Sequence, residues 1–279
     1  MSEKKGLLNF LSDRLIYGNY NKSLTWFKKN KGRNWINGQN FGDYLSIVIV
    51  GEILKQNGLN FSNFSNSNKL LAVGSVIHFA NNNDIVWGSG INGKISESRY
   101  KFNNLDIRAV RGPLTKEILN KRNISVPEIY GDPVLLLPSL FPLFKKSTIA
   151  KKIIVLPNLN ELEIAKKNCP ENMKIVSPLR YWKSVVNEIL SSELVLTSSL
   201  HGLIISELFD VPARFLKPVG GETLFKYDDY YLGTNRVLEH PSDDFRQNIK
   251  ETSGVPSTKL NFDPQNLLNS FPIDLFKNS

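Results

Sequence analysis

The stretch ELVLTSSLHGLIISELFDVPAR, residues 193–214, decides how the chain is read. Leu194, Val195 and Leu196 form a short apolar run of the kind a buried strand needs. Thr197, Ser198, Ser199, Leu200, His201 and Gly202 make a tight polar turn, and the apolar run 203–209 continues as a helix. A helix start presents backbone N–H groups without intrahelical acceptors and carries partial positive charge, so this turn is a natural anion site. Ser198 and Ser199 add hydroxyl donors, Gly202 allows close backbone approach, and His201 stands where it can deliver a proton to a bound anion. The competing reading is structural: Ser199 caps the helix and His201 is a satisfied core histidine.

Outward from this stretch the chain alternates strand and helix. Residues 44–56 carry Leu45, Val48, Ile49, Ile53 and Leu54 at helical spacing behind the turn Asn40, Phe41, Gly42 and Asp43. Asp43 is the expected N-cap, and Asn40 is placed to face a ligand. Residues 57–68 read as a polar loop. Strands are expected at 70–77, 85–87 and 107–110, followed by a helix from Pro113 to about Lys121. Gly88, Ser89 and Gly90, with Asn92 and Gly93, follow a strand and could cup an anion with their N–H groups. Arg111, at the carboxyl end of the third strand, suits bidentate contact with phosphate or carboxylate, or pairing with a surface carboxylate. A proline-rich connection at 138–147 precedes a second series: strand 153–156, helix 161–168, strand 174–176, helix 182–190 and the opening stretch. Residues 225–231 mix aromatics with Asp228 and Asp229, fitting either a sugar-stacking face or a packing helix. A final helix from Asp263 and Pro264 through Leu268 and Phe271 is expected to pack back on the globule.

Composition bounds the function. With 279 residues the chain can build a sizeable core, and one cysteine, Cys169, rules out an internal disulfide framework. There is no Cys/His spacing for zinc. Lys and Arg number 35 against 26 Asp and Glu, a net charge of +9, which suits an anionic small molecule, a phospholipid surface or nucleic acid. The basic residues are scattered and no nucleic-acid recognition motif appears, so no nucleic-acid partner is expected. No apolar run of about 18 residues is present, and a cytoplasmic protein is expected. Residues 1–30 carry Leu7, Leu8, Phe10, Leu11 and Leu15 among lysines. That pattern fits a helix packed on its own domain or a basic face lying on the inner surface of the cell membrane.

Several of these segments together carry a resemblance. Asn40-Phe41-Gly42-Asp43, Gly74-Ser75-Val76-Ile77-His78-Phe79, Val86-Trp87-Gly88-Ser89-Gly90-Ile91-Asn92-Gly93, Arg108-Ala109-Val110-Arg111-Gly112-Pro113, Tyr130-Gly131-Asp132-Pro133, Ser198-Ser199-Leu200-His201-Gly202 and Phe225-Lys226-Tyr227-Asp228-Asp229-Tyr230-Tyr231 occur in order. The chain in this respect resembles the polysaccharide pyruvyl transferases, and among them the enzymes that modify xanthan and succinoglycan. The resemblance implies an α/β fold of two Rossmann-like halves facing a cleft, as in GT-B glycosyltransferases. The corresponding division is a helical lead at 1–33, a first half at 34–145 and a second half at 146–279. It also implies transfer of pyruvate from phosphoenolpyruvate, without a cofactor, to two hydroxyls of a sugar on a lipid-linked oligosaccharide. In that reading His201 is the general acid, Asp43 or His78 handles the acceptor, and Arg111 with the Ser198–Ser199–Gly202 turn holds the donor. Some branches of the family place Arg where Ser199 stands here, so the phosphate contact must come from elsewhere: Arg111, Arg108, Arg214 or Lys226. The rival expectation is a GT-B glycosyltransferase that uses a nucleotide sugar.

Overall fold

The computed structural model describes residues 40–64, 68–149, 152–219, 221–239, 260 and 262–277. Residues 1–39, the basic lead at 1–30 among them, lie outside the described residues.

Helix α1 (Phe41–Gln56) opens the described chain, and 13 of its 16 residues are buried. Ile47 and Val50 add to the expected apolar face, so the helix is apolar all round and must be enclosed on every side. It packs against the turn at Pro133–Leu136 and the helix at Trp182–Leu190, and the Phe41 N–H donates to the Pro178 carbonyl at 2.8 Å. The cap differs from expectation. Asn40 is the N-cap, its side chain accepting from the Gly42 N–H at 3.1 Å, and Asp43 sits inside the first turn. Asparagine caps as well as aspartate, and starting the helix three residues earlier frees the Asp43 carboxylate for the interior.

Strands β1 (Leu70–Leu71), β2 (Ile85–Trp87) and β3 (Asp106–Ala109) form a parallel sheet in the order β1-β2-β3. β1 is much shorter than the apolar pattern suggests. The chain leaves the sheet at Gly74, whose φ of +101° belongs to glycine, and residues Ile77–Phe79 form a 3-10 turn. Helix α2 (Pro113–Lys121) follows with proline in its first turn, as the sequence predicts. The proline-rich connection contains one short helix, α3 (Leu137–Leu140).

The second sheet is also parallel. Strand β4 (Lys152–Leu156), helix α4 (Leu162–Asn168), strand β5 (Lys174–Ile175), helix α5 (Trp182–Leu190), strand β6 (Ser192–Thr197), helix α6 (Leu200–Leu208) and strand β7 (Ala213–Phe215) follow in turn. The strand order is β5-β4-β6-β7, so the winding direction reverses between β4 and β6. Their carboxyl ends, at Leu156 and Thr197, are register partners, and this reversal is where open parallel sheets receive ligands.

Helix α7 (Phe225–Gly233) and helix α8 (Gln265–Asn269) complete the described chain. The tail returns to the first sheet. The Trp87 indole N–H donates to the Leu267 carbonyl at 2.9 Å, and the Phe271 ring packs edge-on against Trp87 at 4.9 Å. One apolar core runs from α1 through Trp87, Leu156, Val195 and Ile204 to Phe276, uniting both sheets.

Candidate active site

The end of β6 is built by its own side chains. The Thr197 hydroxyl donates to the Leu156 carbonyl at 2.7 Å and accepts from the Ser199 N–H at 3.0 Å, which turns the chain sharply. Ser199 then caps α6 by accepting from the Gly202 N–H at 3.3 Å, so the structural reading of Ser199 holds. Gly202 serves the packing of the helix. A Cβ there would lie 2.6 Å from Thr197 Oγ1 and 2.8 Å from Leu156 Cδ2, so only glycine lets α6 seat on its strand. Ser198 is fully buried and its hydroxyl donates to Glu161 in a very short bond while accepting from the Asn158 N–H at 2.9 Å.

His201 falls in the first turn of α6, later than a residue of the preceding turn would. Its ring lies against Gly42 of α1: a Cβ on Gly42 would approach Nδ1 to 2.0 Å. His201 Nε2 is 3.5 Å from Asp132 Oδ2, and the two side chains are 8% and 0% exposed. Neither of these two atoms has a hydrogen-bond partner among the described residues. Asp132 Oδ1 is held by the Val134 N–H at 3.0 Å, which aims the other oxygen at the imidazole. His201 is therefore no satisfied core histidine. An unpaired buried acceptor and ring nitrogen are costly, and such cost is characteristic of a working site.

Asp43 joins this pair. Burial pushes its carboxyl up from the ordinary aspartate range, His201 and Lys226 pull it down in part, and Asp132 pushes it up. Its Oδ1 lies 3.0 Å from where a Cβ on Gly74 would stand, so the bend after β1 makes room for the carboxylate. Three elements distant in sequence thus place Asp43, Asp132 and His201 together.

Lys226 stands in the first turn of α7, 2.9 Å from Glu222, and its side chain is only 13% exposed. Glu222 also takes an ion pair from Lys94. Burial lowers the Lys226 ammonium from the ordinary lysine value, and Glu222 restores part of the loss. Burial raises Glu161 as well, against the hydrogen bonds from Ser198 and the Val219 N–H.

Other expected ligand contacts are occupied within the protein. The Arg111 guanidinium is wholly buried, 2.9 Å from Asp229 Oδ2, and it donates to Ser75 Oγ at 2.5 Å and the Ile91 carbonyl at 2.7 Å. The carboxylate partner weighed for Arg111 is thus real, but interior. Arg108 bridges Asp106 and Asp274, tying the tail to the first sheet, and these hydrogen bonds raise its pKa. Within the expected anion cup the N–H groups of Gly88 and Gly90 already donate to the Ala109 and Gly74 carbonyls, and that of the neighbouring Ile91 donates to the Thr115 hydroxyl. Ser89 Oγ donates to the Gly74 carbonyl at 2.8 Å. These bonds hold the loop's shape around Arg111, whose guanidinium would collide with any Cβ on Gly90. Asn40 is engaged as the cap. His78 is half-buried, its Nδ1 3.3 Å from Asn92 Nδ2, and burial lowers its pKa.

The aromatics of α7 pack inside. Tyr227 donates to the Ser198 carbonyl at 2.6 Å, and Tyr230 and Tyr231 donate to Glu207. Buried tyrosines need such partners, so these three rings are not a sugar platform. Asp229 is fully buried, and Asp228 keeps partial exposure at the start of the helix.

Sequence reasoning did not assign roles to Asp132, Glu161, Lys94 or Glu222. Asp132 had a signal in the Gly131-Asp132-Pro133 segment, where an acid precedes a turn-forming proline. The other three have none, because only folding brings them to the strand ends.

The fold is mixed α/β with two parallel sheets, and its titratable residues gather where strands of both sheets end. A family model, polysaccharide pyruvyl transferase, matches residues 6–218, and the chain belongs to that family. It is therefore a transferase enzyme. No curated protein and no solved structure matches the chain. Family membership sets aside the nucleotide-sugar glycosyltransferase expectation. Among the described residues no helix is long and apolar enough to cross a membrane.

Proposed function

We propose that the enzyme moves pyruvate from phosphoenolpyruvate onto two hydroxyls of a terminal hexose, mannose bridged at positions 4 and 6, on a lipid-linked exopolysaccharide repeat unit. This places it beside the xanthan and succinoglycan enzymes, working in the cytoplasm with peripheral contact to the inner face of the membrane. In the same reading its two sheets belong to two Rossmann-like halves, 34–145 and 146–279, arranged as in GT-B enzymes. The observation that carries the reading is the His201–Asp132 pair, buried, unpartnered and adjacent to Asp43.

The chemistry follows from the donor. Protonated His201 gives a proton to the methylene carbon of phosphoenolpyruvate, and the adjacent carbon gains oxocarbenium character. One sugar hydroxyl adds there as its proton passes to a base, the role this reading gives to Asp43. The bond to phosphate then breaks with its electron pair leaving on phosphate, and the second hydroxyl closes the ketal. Two carbon–oxygen bonds form for one broken, and the two hydroxyl protons balance the new methyl hydrogen and the released phosphate. No oxidant or reductant enters. Asp132 stabilises the charged imidazole, and a placed proton donor of this kind contributes on the order of 10² to 10⁴ in rate.

The test is phosphate release from phosphoenolpyruvate in the presence of lipid-linked or aryl mannosides, glucosides and galactosides, with product mass read alongside. Acceptor-dependent phosphate and a product heavier by one pyruvate ketal are expected. Turnover of every acceptor without ketal product would overturn the reading.

A further inference from the structure

Residues 141–152, FPLFKKSTIAKK, connect the two sheets with four lysines and no acidic residue. Within this stretch Leu143 is 94% exposed and Ile149 75% exposed. Lone exposed leucines are ordinary, so what matters is whether the fold presents these two side chains or merely leaves them loose. It presents them. Phe141 and Phe144 pack on Trp182 at the start of α5, their ring centres 5.4 and 5.8 Å from its own. The Ser147 N–H donates at 2.8 Å to the carbonyl of Leu190, at the other end of that helix. The segment therefore runs along α5, pinned at both ends. With Phe141 and Phe144 turned inward, Pro142 and Leu143 between them are left facing solvent.

Cations accompany the exposed pair. Lys145 and Lys146 are exposed, and Lys146 Nζ donates to the Asp210 backbone carbonyl at 2.7 Å, which fixes the ammonium without neutralising it. Lys183 of α5 holds its ammonium 5.3 Å from the centre of the Trp182 ring, at the helix end that Phe141 and Phe144 cover. Glu188, the one acid in α5, is committed to Lys174 and Arg180. Exposed aliphatic tips flanked by lysines suit the headgroup layer of a bilayer: the tips reach the acyl boundary while the ammonium groups stay level with the phosphates. The lysines select a negatively charged surface. The same end of α5 adjoins the site. Pro178, which precedes α5, accepts from the Phe41 N–H at the start of α1, and α1 carries Asp43. The patch thus ends next to the helix pair that borders the titratable cluster.

We infer that segment 143–149 is the surface by which the enzyme docks on an anionic phospholipid bilayer, with Leu143 and Ile149 inserted and Lys145, Lys146 and Lys183 at the headgroups. This rests on the peripheral-membrane reading above and gives it a location within the described residues. None of these side chains belongs to the catalytic cluster, so docking and chemistry are separable.

Sedimentation of the full chain with vesicles of phosphatidylcholine, alone or mixed in equal parts with phosphatidylglycerol, tests it. The variants are Leu143→Ser/Ile149→Ser and Lys145→Gln/Lys146→Gln, each checked for cooperative melting. All four positions are exposed, so both variants are expected to fold. The wild type should pellet with the mixed vesicles and not with the neutral ones, and each variant should partition about tenfold less, equivalent to roughly 1.4 kcal/mol. Turnover of a soluble aryl glycoside should be unchanged in both variants, whereas turnover of a lipid-linked acceptor in mixed vesicles should fall. Wild-type partition in both folded variants overturns the inference and leaves the peripheral reading to another part of the chain. Equal binding to both kinds of vesicle overturns the role of the lysines and the inference with it. A wild type that binds neither overturns the inference and the peripheral reading together. Concentration-dependent self-association in light scattering, abolished by Leu143→Ser/Ile149→Ser, would give the patch to a second copy and overturn the inference too. Acceptor-dependent phosphate release from soluble acceptors decides the transferase reading independently.

Discussion

Replacing Gly42 by alanine tests the placement of His201 without touching any ionisable group. A Cβ on Gly42 would stand 2.0 Å from His201 Nδ1 and 2.7 Å from Cγ, whereas ordinary contact begins near 3.4 Å. The ring must therefore retreat by about 1.4 Å, or α1 must shift away from α6. Neither is easy, because Phe41 is hydrogen-bonded to Pro178 and the residues around α1 are buried. Overpacking of this kind costs about 1–3 kcal/mol, offset by the roughly 1 kcal/mol that alanine gains over glycine within a helix. The variant should fold, with a modest loss of stability. Activity should suffer more, since a misplacement of about 1 Å at a reacting group lowers rate on the order of 10²-fold. Acceptor-dependent phosphate release should show kcat reduced by about that factor, with phosphoenolpyruvate binding by calorimetry little changed. A folded Gly42→Ala protein with wild-type kcat would refute His201 as the proton donor held against α1.

Asp43→Asn should lower kcat, yet melt above wild type at pH 7. A carboxyl raised by burial is most compatible with the fold when protonated, so the native state loses stability as pH rises from the ordinary aspartate value to the elevated one. The melting difference should close as pH falls below the ordinary aspartate value of 3.8, and a difference independent of pH would contradict this. Asp229→Ala, which strands the wholly buried Arg111, should cost about 3–5 kcal/mol in denaturant unfolding. Arg111→Met combined with Asp229→Leu should recover much of that loss, and equal losses in the single and double variants would show that the pair is not what the fold depends on. Gly112→Ala should fail to give a stable protein, because its Cβ would lie 1.8 Å from the Asp229 backbone carbonyl oxygen. A normally melting Gly112→Ala chain would show that α2 and α7 can separate.

Local pattern carried the elements well where a short apolar run met a clear boundary. β2 and α5 lie where the sequence places them, because Gly88 ends the first and Trp182, Val185, Val186 and Ile189 line one buried face of the second. The strand expected at 70–77 was overextended. Its apolar residues remain buried, but Gly74 and the bonds to Ser89 turn the chain out of the sheet, and hydrophobicity alone does not distinguish a buried strand from a buried turn. Asn235 takes φ +57°, which asparagine tolerates better than most residues.

By itself the sequence determined the α/β alternation and the strand, polar turn and helix around His201, since these follow from the order of neighbouring residues, although the helix begins at Leu200, three residues before the pattern placed it. It also carried the family, through motifs arranged in series. Only the tertiary structure decided which charged groups meet. Arg111 found a buried carboxylate where a ligand had been expected, and His201 met Asp132. Lys94 met Glu222 across 128 residues. Such pairings depend on two parallel sheets bringing their strand ends together around one core, and no local periodicity encodes that distance.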